Sequence, residues 1–200
     1  MRLLVATTNP HKVQEIRALL VGMPLELTTL DAWPDLEAPE ETGQTFEANA
    51  RAKALYYAAS TGELTVAEDS GLEIDALGGA PGVESARYGG EDATYSQKFA
   101  LIYDALAAAR AANLAARFVC AVALSAGPRV LFETRGTVEG RIARAPAGTS
   151  GFGYDPIFFY PPYGCTLGQA TAEQKAAVSH RGEAFRALRA FLEAFDFEHT

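Results

Sequence analysis

The sequence predicts an α/β fold built on a mixed β-sheet, and three observations lead to this prediction. Short apolar strand patterns alternate with helical patterns in the first half of the chain, which is typical of strands joined by helices. Two longer strand patterns, separated by Ala126-Gly127-Pro128, indicate a β-hairpin. At 200 residues, with 48% hydrophobic and 21% charged residues, the chain has the size and composition of one globular domain or of two lobes that share a core.

The N-terminal segment is predicted to form a strand that leads directly into a helix. The predicted strand covers residues 2–6, of which residues 3–6 are apolar, and Thr7-Thr8-Asn9-Pro10 follows it. Side-chain oxygens in this segment can cap a helix, and proline is favourable in a first helical turn. The apolar face of the predicted helix consists of Val13, Ile16, Leu19 and Leu20. A second strand is predicted over residues 25–29.

The next segment combines acidic residues with a strong helical pattern. Residues 31–43 are acidic and contain proline, which predicts a loop, whereas residues 45–60 are predicted to be helical. The apolar stripe of this helix consists of Phe46, Ala50, Ala54 and Tyr57. Asn49 and Lys53 lie four positions apart and therefore share a face of the helix. Residues 64–67 are predicted to form a strand that ends in a turn at Glu68-Asp69.

The second half of the chain is predicted to contain a long connection, the hairpin and three further helices. Residues 71–92 are rich in glycine and acidic residues without an apolar repeat, and a connection of this length favours a functional loop. The other predicted elements follow in order: a helix over 95–113, hairpin strands over 117–125 and 130–138, a glycine-rich stretch over 147–155 before Ile157-Phe158-Phe159, a short helix opened by Thr171, and a final helix over 181–195 whose apolar face is Phe185, Leu188, Leu192 and Phe195.

The charge of the chain limits the partners that it can bind. A net charge of −8 and a pI near 4.9 disfavour nucleic-acid binding, which needs clustered lysine and arginine to replace the counterions of phosphates. An acidic protein can still bind a small polyphosphate when a metal supplies positive charge locally. Of the 17 basic residues, four are lysines, namely Lys12, Lys53, Lys98 and Lys175. Each lysine retained in such an arginine-rich chain is a candidate for a specific task, and chance retention is the alternative.

Cysteine usage and the lack of targeting patterns favour a cytoplasmic protein without a membrane segment. Cys120 lies in an apolar run and Cys165 in a loop, with no paired spacing for a metal or redox motif, so we expect two reduced thiols. The chain starts with a strand pattern instead of a signal peptide, and no apolar run approaches the length of a bilayer span.

The first candidate site is the predicted strand–helix junction, Thr7-Thr8-Asn9-Pro10-His11-Lys12. Backbone N–H groups at a helix N-terminus point outward, and the helix dipole favours an anion there. Threonine and asparagine add donors, and Lys12 in the first turn can reach phosphate oxygens. The alternative is a well-capped helix with one exposed lysine, because the segment is not a Walker loop.

The second candidate site is acidic and consists of Glu40-Glu41 and Glu68-Asp69. Mg²⁺ prefers one or two carboxylates, completed by water and substrate phosphates. Carboxylates that follow a strand lie at the carboxyl edge of the sheet, where ligands bind in open α/β folds. A carboxylate there can also orient or deprotonate an attacking water. The alternative is two ordinary acidic pairs on the surface.

Two further segments are candidates for contacts with a substrate. In Ser150-Gly151-Phe152-Gly153-Tyr154-Asp155-Pro156, aromatic rings between glycines can stack on a base while the backbone approaches closely. A glycine-rich turn with core aromatics is the alternative. In Ser179-His180-Arg181-Gly182, His180 and Arg181 can donate hydrogen bonds at a helix start, and Lys175 lies one turn upstream. The alternative for His180 is a purely structural role.

The sequence resembles the inosine triphosphate pyrophosphatase family, whose members hydrolyse non-standard purine nucleoside triphosphates. Six stretches, in the order typical of the family, carry the resemblance: residues 6–12, 40–50, 67–72, 78–83, 151–156 and 179–182. They span nearly the whole chain. The second residue of the phosphate motif is commonly glycine or asparagine in this family, and here it is Thr8, whose hydroxyl can still donate.

The resemblance implies a single α/β domain over residues 1–200, with two lobes around a long mixed sheet flanked by helices and an active-site cleft between the lobes. It implies Mg²⁺-dependent cleavage between the α and β phosphates, which yields the nucleoside monophosphate and pyrophosphate. The implied substrate is a small-molecule nucleoside triphosphate (ITP, dITP or XTP), and the implied assembly is a homodimer.

The resemblance also implies a role for each matched residue. Glu40 and Asp69 would engage the metal, Asp69 would act on the water with Glu68 close by, and Lys53 would support the phosphates. The implied substrate-binding residues are Thr7, Thr8, Asn9, Pro10, His11, Lys12, Ser70, Phe152, Gly153, Tyr154, Asp155, Lys175, His180 and Arg181. A buried donor such as Arg181 would pair with the 6-oxo group of inosine or xanthosine and would lack a partner opposite adenine.

Three other functions remain as alternatives. A related pyrophosphatase would select other modified bases, such as a pyrimidine. A regulator would bind nucleotides without cleaving them, although Lys12, Lys53, Glu68 and Asp69 are all present. A nucleic-acid-binding module is the least favoured because of the net charge. The sequence leaves open how the three nucleotides rank, how guanine is excluded, and which of Glu40, Glu41, Glu68 and Asp69 binds the metal.

Overall fold

The structure, a computed structural model, describes residues 2–195 of the chain. These residues form five α-helices and one sheet of seven strands. The helices are α1 (Pro10–Leu19), α2 (Phe46–Thr61), α3 (Tyr95–Ala108), α4 (Ala172–Val178) and α5 (His180–Ala194). The strands are β1 (Arg2–Val5), β2 (Glu26–Thr29), β3 (Leu64–Ile74), β4 (Ala115–Ala126), β5 (Arg129–Ile142), β6 (Phe158–Tyr160) and β7 (Cys165–Thr166).

The sheet is mixed, as the sequence predicts. Its strands are hydrogen-bonded in the order β2-β1-β3-β4-β5-β6-β7. β1 pairs in parallel with β2 and β3, whereas β6 pairs in the antiparallel sense with β5 and β7. Only Gly127 and Pro128 connect the neighbouring strands β4 and β5, and a connection this short joins antiparallel strands. The predicted α/β class and the predicted hairpin are therefore confirmed.

The described residues separate into two compact units, each with its own apolar core. The first unit comprises residues 2–69, 120–136 and 181–195, and the second comprises residues 70–119 and 137–180. Core residues of the first unit include Leu3, Ile16, Val66, Leu124 and Phe185. Core residues of the second unit include Ile74, Ile102, Phe118, Ile157 and Phe158. β3, β4 and β5 each contribute residues to both units, so both units are discontinuous in the sequence.

α2 closely follows its predicted bounds. Thr45 caps its start by accepting from the backbone N–H of Ala48, and Gly62 ends it in the left-handed conformation. The predicted apolar stripe, Phe46, Ala50, Ala54 and Tyr57, is buried. Within residues 2–195, no helix combines the length and the apolar character that crossing a membrane requires.

The predicted turn at Glu68-Asp69 is wrong, because β3 continues through both residues to Ile74. The glycine that suggests a turn, Gly71, lies within the strand for a packing reason. A Cβ atom at this position would lie 2.3 Å from Ser85 Oγ and 2.6 Å from the carbonyl oxygen of Gly82. Glycine inside a strand often marks such a close backbone approach.

The segment after Asp69 is also more regular than the predicted long loop. Residues 71–74 complete β3, and 3₁₀ helices cover Asp75–Leu77 and Gly82–Glu84. α3 ends at Ala108, before the predicted end at residue 113, because the chain turns at Arg110, which has a positive φ of 49°. The strands of the hairpin extend beyond their predicted bounds at both ends.

Candidate active site

The polar side chains at the start of α1 hold the backbone of the strand–helix junction. Asn9 Oδ1 accepts from the N–H groups of His11 at 3.0 Å and Lys12 at 3.4 Å. Thr7 Oγ1 accepts from the N–H of Asn9 at 3.2 Å, and Pro10 lies in the first turn. The exposed residues of the junction are Thr8, Pro10 and His11. The predicted helix cap is confirmed, whereas anion binding at this helix start stays a prediction.

Glu68 is the centre of a buried charge network in the first unit. Both of its carboxylate oxygens accept from Arg181 Nη2 at 3.1 Å, and Oε1 lies 2.8 Å from Lys12 Nζ. The Cys120 thiol donates to Oε2 at 2.9 Å. Arg181 also donates from Nη1 to Glu15 Oε2 at 2.6 Å. Because Glu68 and Arg181 are 2% and 1% exposed, each charge depends on the other for its stabilisation.

The groups of this network hold one another in defined protonation states. Burial alone would raise the pKa of Glu68, but the positive charges of Arg181 and Lys12 keep that pKa well below its usual range. Burial alone would lower the pKa of Arg181, and the Glu68 carboxylate raises it instead. Burial next to Glu68 raises the pKa of the Cys120 thiol well above its ordinary value. At neutral pH, Glu68 is therefore a carboxylate and Cys120 a protonated thiol.

Asp69, the next residue of β3, contacts a different set of partners. Its Oδ2 accepts from Asn49 Nδ2 at 2.9 Å, and its Oδ1 lies 3.7 Å from Lys53 Nζ. Lys53 Nζ also donates to Glu41 Oε1 at 2.6 Å. Since successive residues of a strand face opposite sides of the sheet, adjacent carboxylates can enter separate networks. The face of α2 that carries Asn49 and Lys53 contacts Asp69.

The environment of Asp69 makes its carboxylate more basic than that of an exposed aspartate. Burial raises the pKa of Asp69, and this effect outweighs the opposing effects of the Lys53 charge and the Asn49 hydrogen bond. Burial alone would lower the pKa of Lys53, but the carboxylates of Asp69 and Glu41 raise it. The pKa values of Glu68 and Asp69 are thus displaced in opposite directions.

The different lengths of β1 and β3 place these carboxylates close to the start of α1. Val5, the last residue of β1, pairs with Val66, and the N–H of Ala6 donates to the Val66 carbonyl at 2.8 Å. β1 stops there, whereas β3 continues. Glu68 and Asp69 therefore lie just beyond the carboxyl end of β1, although their own strand, β3, does not end there as predicted.

A separate buried ion pair lies in the second unit. Asp155 Oδ2 accepts from Lys175 Nζ at 2.7 Å and from the N–H of Phe152 at 2.8 Å. Lys175 Nζ also lies 4.4 Å from the centroid of the Phe152 ring. Gly151 has a φ of +71°, and a Cβ atom there would lie 2.1 Å from Asp155 Oδ2, so glycine is required. The predicted glycine–aromatic segment is therefore in direct contact with Lys175 of α4.

Other predicted substrate-binding residues of the second unit make internal contacts. The Tyr154 hydroxyl donates to the carbonyl oxygen of Ser85 at 2.8 Å. The His180 ring stacks on Phe118, with ring centroids 5.0 Å apart. Gly153 has a φ of +67°, and Ser70 is half-buried in β3. Contacts between these four residues and a substrate stay predictions.

Three members of these networks are absent from the predicted site, namely Glu15, Asn49 and Cys120. Helical spacing is a partial signal for two of them, because Glu15 lies three residues from Lys12 and Asn49 lies four residues from Lys53. Nothing local in the sequence marks Cys120, whose contact with Glu68 requires β4 to lie next to β3.

The acidic loop before α2 places its two glutamates differently. Glu41 contacts Lys53, as described above, whereas the predicted metal ligand Glu40 is exposed. The metal-binding role of Glu40 therefore stays a prediction, and Glu41 is the loop carboxylate that lies next to the Asp69 network.

The donor set of the first unit fits a magnesium ion that is held partly by a phosphate-bearing ligand. Within residues 2–195, no three His, Cys, Asp or Glu side chains gather closely enough to hold a metal ion by themselves. Mg²⁺ needs only one or two carboxylates when phosphates and water complete its shell. Asp69 and the Glu40-Glu41 segment offer oxygen ligands of this kind. Carboxylates also outnumber cations in the two networks, which consist of Glu15, Glu41, Glu68 and Asp69 with Lys12, Lys53 and Arg181.

The mixed sheet, together with the charge networks of the first unit, defines an α/β protein with a lysine–carboxylate site next to a strand–helix junction. The chain belongs to the Ham1 family, which it matches over residues 3–191.

Curated relatives and solved structures resemble nearly the whole chain. It is 44% identical over 195 residues to the dITP/XTP pyrophosphatase of an Exiguobacterium species. The matched residues cover 98% of this chain and 98% of that one. It is 47% identical over 186 residues to the dITP/XTP pyrophosphatase of Gloeobacter violaceus, which covers 93% of this chain and 91% of that one. The structure of a HAM1 protein from Coxiella burnetii superimposes with a TM-score of 0.92 at 37% identity and covers 98% of this chain and 100% of its own.

Proposed function

We propose that the protein hydrolyses non-standard purine nucleoside triphosphates (ITP, dITP and XTP) to the nucleoside monophosphate and pyrophosphate, with Mg²⁺, and so removes them from the nucleotide pool. The observation that carries this proposal is the joint presence of two features. Lys12 in the first turn of α1 and Lys53 on α2 lie beside the buried carboxylates Glu68 and Asp69, and the chain is 44% identical over 195 residues to a dITP/XTP pyrophosphatase.

The triphosphate would bind at the start of α1. Backbone N–H groups at a helix N-terminus favour an anion, and Lys12 supplies a positive charge in the first turn. Glu68 holds the Lys12 ammonium at 2.8 Å, and Arg181 and Cys120 hold Glu68 in turn. Glu68 would therefore act by positioning Lys12, because its own oxygens are already occupied.

Asp69 would accept a proton from the attacking water. The oxygen of this water would form a bond to the α phosphorus, and the bond from that phosphorus to the oxygen bridging it to the β phosphorus would break. Of the two adjacent carboxylates, only Asp69 has a pKa raised by its environment, which suits a general base better than the strongly stabilised Glu68. Lys53, 3.7 Å from Asp69 Oδ1, would stabilise negative charge on the phosphates.

The metal would be held by Asp69 and the acidic loop. We propose Glu40 and Asp69 as the protein ligands of Mg²⁺, with substrate phosphates and water completing its shell. When bound, Mg²⁺ supplies positive charge that withdraws electrons from the phosphates.

Arg181 is a less available donor for the purine base than an arginine without other hydrogen bonds would be. Its nitrogens already donate to Glu68 and Glu15, so a bond to the 6-oxo group of a purine would have to be made in addition to these. We therefore propose Arg181, His180, Lys175 and residues 152–155 as substrate contacts. We propose that the main role of Arg181 is to hold Glu68 in place.

A product assay over a nucleotide panel tests the proposal. ITP, dITP and XTP should be cleaved with a higher kcat/KM than ATP, GTP or modified pyrimidine nucleotides, and pyrophosphate should be the first inorganic product. Chelation of Mg²⁺ should stop turnover. Release of orthophosphate first, or equal rates over the panel, would contradict the proposal, and a preference for a modified pyrimidine would replace the substrate class.

We further propose that the protein is a cytoplasmic homodimer. Light scattering coupled to size-exclusion chromatography measures the assembly directly, and the mass of a single chain, 21.3 kDa, would contradict the dimer.

A further inference from the structure

The side chain of Asn49 connects the acidic loop to Asp69. The backbone N–H of Gly43 donates to Asn49 Oδ1 at 2.8 Å, and Asn49 Nδ2 donates to Asp69 Oδ2 at 2.9 Å. Asn49 is 1% exposed, so water does not compete for these bonds. One side chain therefore touches both the loop that carries Glu40-Glu41 and the carboxylate proposed to act on the water.

The orientation of the Asn49 amide is determined by its two partners. A backbone N–H can only donate, so it requires the amide oxygen, and a carboxylate can only accept, so it requires the amide nitrogen. Flipping the amide would place two donors together at Gly43 and two acceptors together at Asp69. Asn49 therefore holds one fixed orientation within α2, and aspartate, leucine or alanine cannot reproduce both bonds.

Gly43 is adapted to this contact. A Cβ atom at position 43 would lie 2.4 Å from Asn49 Oδ1, closer than real Cβ atoms approach, so a larger residue would displace the amide or the loop. The φ of Gly43 is not positive, so the absence of a side chain is explained by the proximity of Asn49 and not by backbone conformation.

We infer that Asn49 is a positioning residue of the active site, which fixes the rotation of the Asp69 carboxylate and its distance from the acidic loop. By binding Oδ2, the amide leaves Oδ1 on the side of Lys53. Catalytic groups have to be held within about 0.5 Å of their productive geometry, and side chains that orient them are what supplies this precision. The inference rests on the proposed function, since it gives Asp69 its catalytic role.

The substitution Asn49→Ala tests the inference against a control in the same helix. It should lower kcat by roughly 10- to 100-fold, the usual effect of removing a partner that orients a catalytic or ligating group. The KM for the nucleotide should change little, because Lys12 and the α1 junction are untouched. Thr61→Ala removes another side-chain hydrogen bond of α2, about 18 Å away along the helix axis, and should leave kcat unchanged.

A double-mutant cycle with Gly43→Ala separates positioning from a general loss of packing. Gly43→Ala should lower kcat in the wild-type background, because its Cβ collides with Asn49 Oδ1. In the Asn49→Ala background the same change should have a much smaller effect, because that oxygen is gone and only the Ala48 Cβ, at 3.1 Å, remains close to the new methyl group. Gly43→Ala also keeps the Asn49 side chain in the core, so it remains informative if Asn49→Ala unfolds.

A crystal structure of Asn49→Ala provides a readout that does not depend on turnover. The Asp69 carboxylate should rotate, or the loop at Gly43 should move away from it. If neither moves, or if kcat for Asn49→Ala equals that of Thr61→Ala, the inference is wrong. A wild-type protein without activity on the nucleotide panel would instead contradict the proposed function, so the two failures are distinguishable.

Discussion

At the scale of single residues, Glu68 and Asp69 show how two neighbouring carboxylates acquire different tasks. Glu68 is neutralised by a guanidinium and an ammonium within 3.1 Å, so its charge is stabilised by the protein itself. Asp69 accepts from the Asn49 amide and lies 3.7 Å from Lys53 Nζ, and burial raises its pKa above the ordinary value. A carboxylate whose pKa is raised in this way is the better candidate to take up a proton.

Asp69→Asn should stop catalysis without preventing nucleotide binding. Asparagine keeps the shape of the side chain and can still accept from Asn49, but it cannot take up a proton from water. We expect kcat to fall by about 10²- to 10⁴-fold, the usual contribution of a general base. Single-turnover kinetics measure the rate, and calorimetric titration with ITP measures the binding. An unchanged rate would remove Asp69 from this role.

Arg181→Met should destabilise the protein, because it leaves the buried Glu68 with a smaller positive charge around it. Removing one partner of a buried ion pair costs about 3–5 kcal/mol in the free energy of unfolding. Urea titration followed by circular dichroism measures this change. Glu15→Gln serves as the comparison: Glu15 is only partly buried and Arg181 would keep Glu68, so the loss should be smaller. Equal losses for both variants would show that Glu68 does not depend on Arg181.

Thiol accessibility tests the position of Cys120. The Cys120 thiol is fully buried and has a raised pKa, whereas Cys165 is half-buried. Because the thiolate is the reactive form, Ellman's reagent should modify Cys165 and spare Cys120 in the native protein, and should modify both in urea. Rapid modification of Cys120 under native conditions, located by mass spectrometry, would contradict the described contact with Glu68.

At the scale of secondary-structure elements, the limits of sequence analysis are clearest in β3. The apolar residues 64–67 correctly predict its start, and the capping segment at residues 7–10 and the helical pattern from residue 45 correctly predict where α1 and α2 begin. Ser70-Gly71 has the composition of a turn, but the strand continues through both residues, and Gly71 is glycine because Gly82 and Ser85 lie close to it. Such a contact between residues distant in the sequence has no local signal.

The candidate site likewise contains some features that the sequence predicts and others that only the tertiary structure shows. Helical spacing by itself predicts that Asn49 and Lys53 share one face of α2, and the lysine count draws attention to Lys12 and Lys53. The contact between Cys120 and Glu68 depends on strand order, and the contact between Arg181 and Glu68 joins residues 113 positions apart. Both are consequences of tertiary structure, which no pattern within a short window contains.

Gly71→Ala should destabilise β3, because the new methyl group would collide with a backbone carbonyl as well as a side chain. Overpacking of this kind costs about 1–3 kcal/mol in the free energy of unfolding. Thermal or urea unfolding measures the loss. Ser85→Ala removes the atom closest to the new methyl group, so the additional cost of Gly71→Ala should be smaller in that background. A cost of zero in the wild-type background would show that the strand can shift to make room.

At the scale of the whole molecule, the net charge of −8 is compatible with binding a small polyphosphate but disfavours binding a long one such as a nucleic acid. A triphosphate needs cations only at the site, where Lys12 and Lys53 lie, whereas a nucleic acid needs them over an extended surface. We expect no retention of DNA or RNA at about 0.15 M salt, near physiological ionic strength, in a filter-binding or anisotropy assay. Tight binding that weakens steeply with salt would contradict this expectation.

The segmented first unit has a consequence for the synthesis of the protein on the ribosome. Its N-terminal residues, among them Val5, Ile16 and Val66, emerge early, but Phe185 and Leu188 of the same core belong to α5. Domains that are continuous in sequence can fold in turn as they emerge. Here the core of the first unit stays incomplete until α5 has left the exit tunnel, so this unit can finish folding only after α5 has been synthesised.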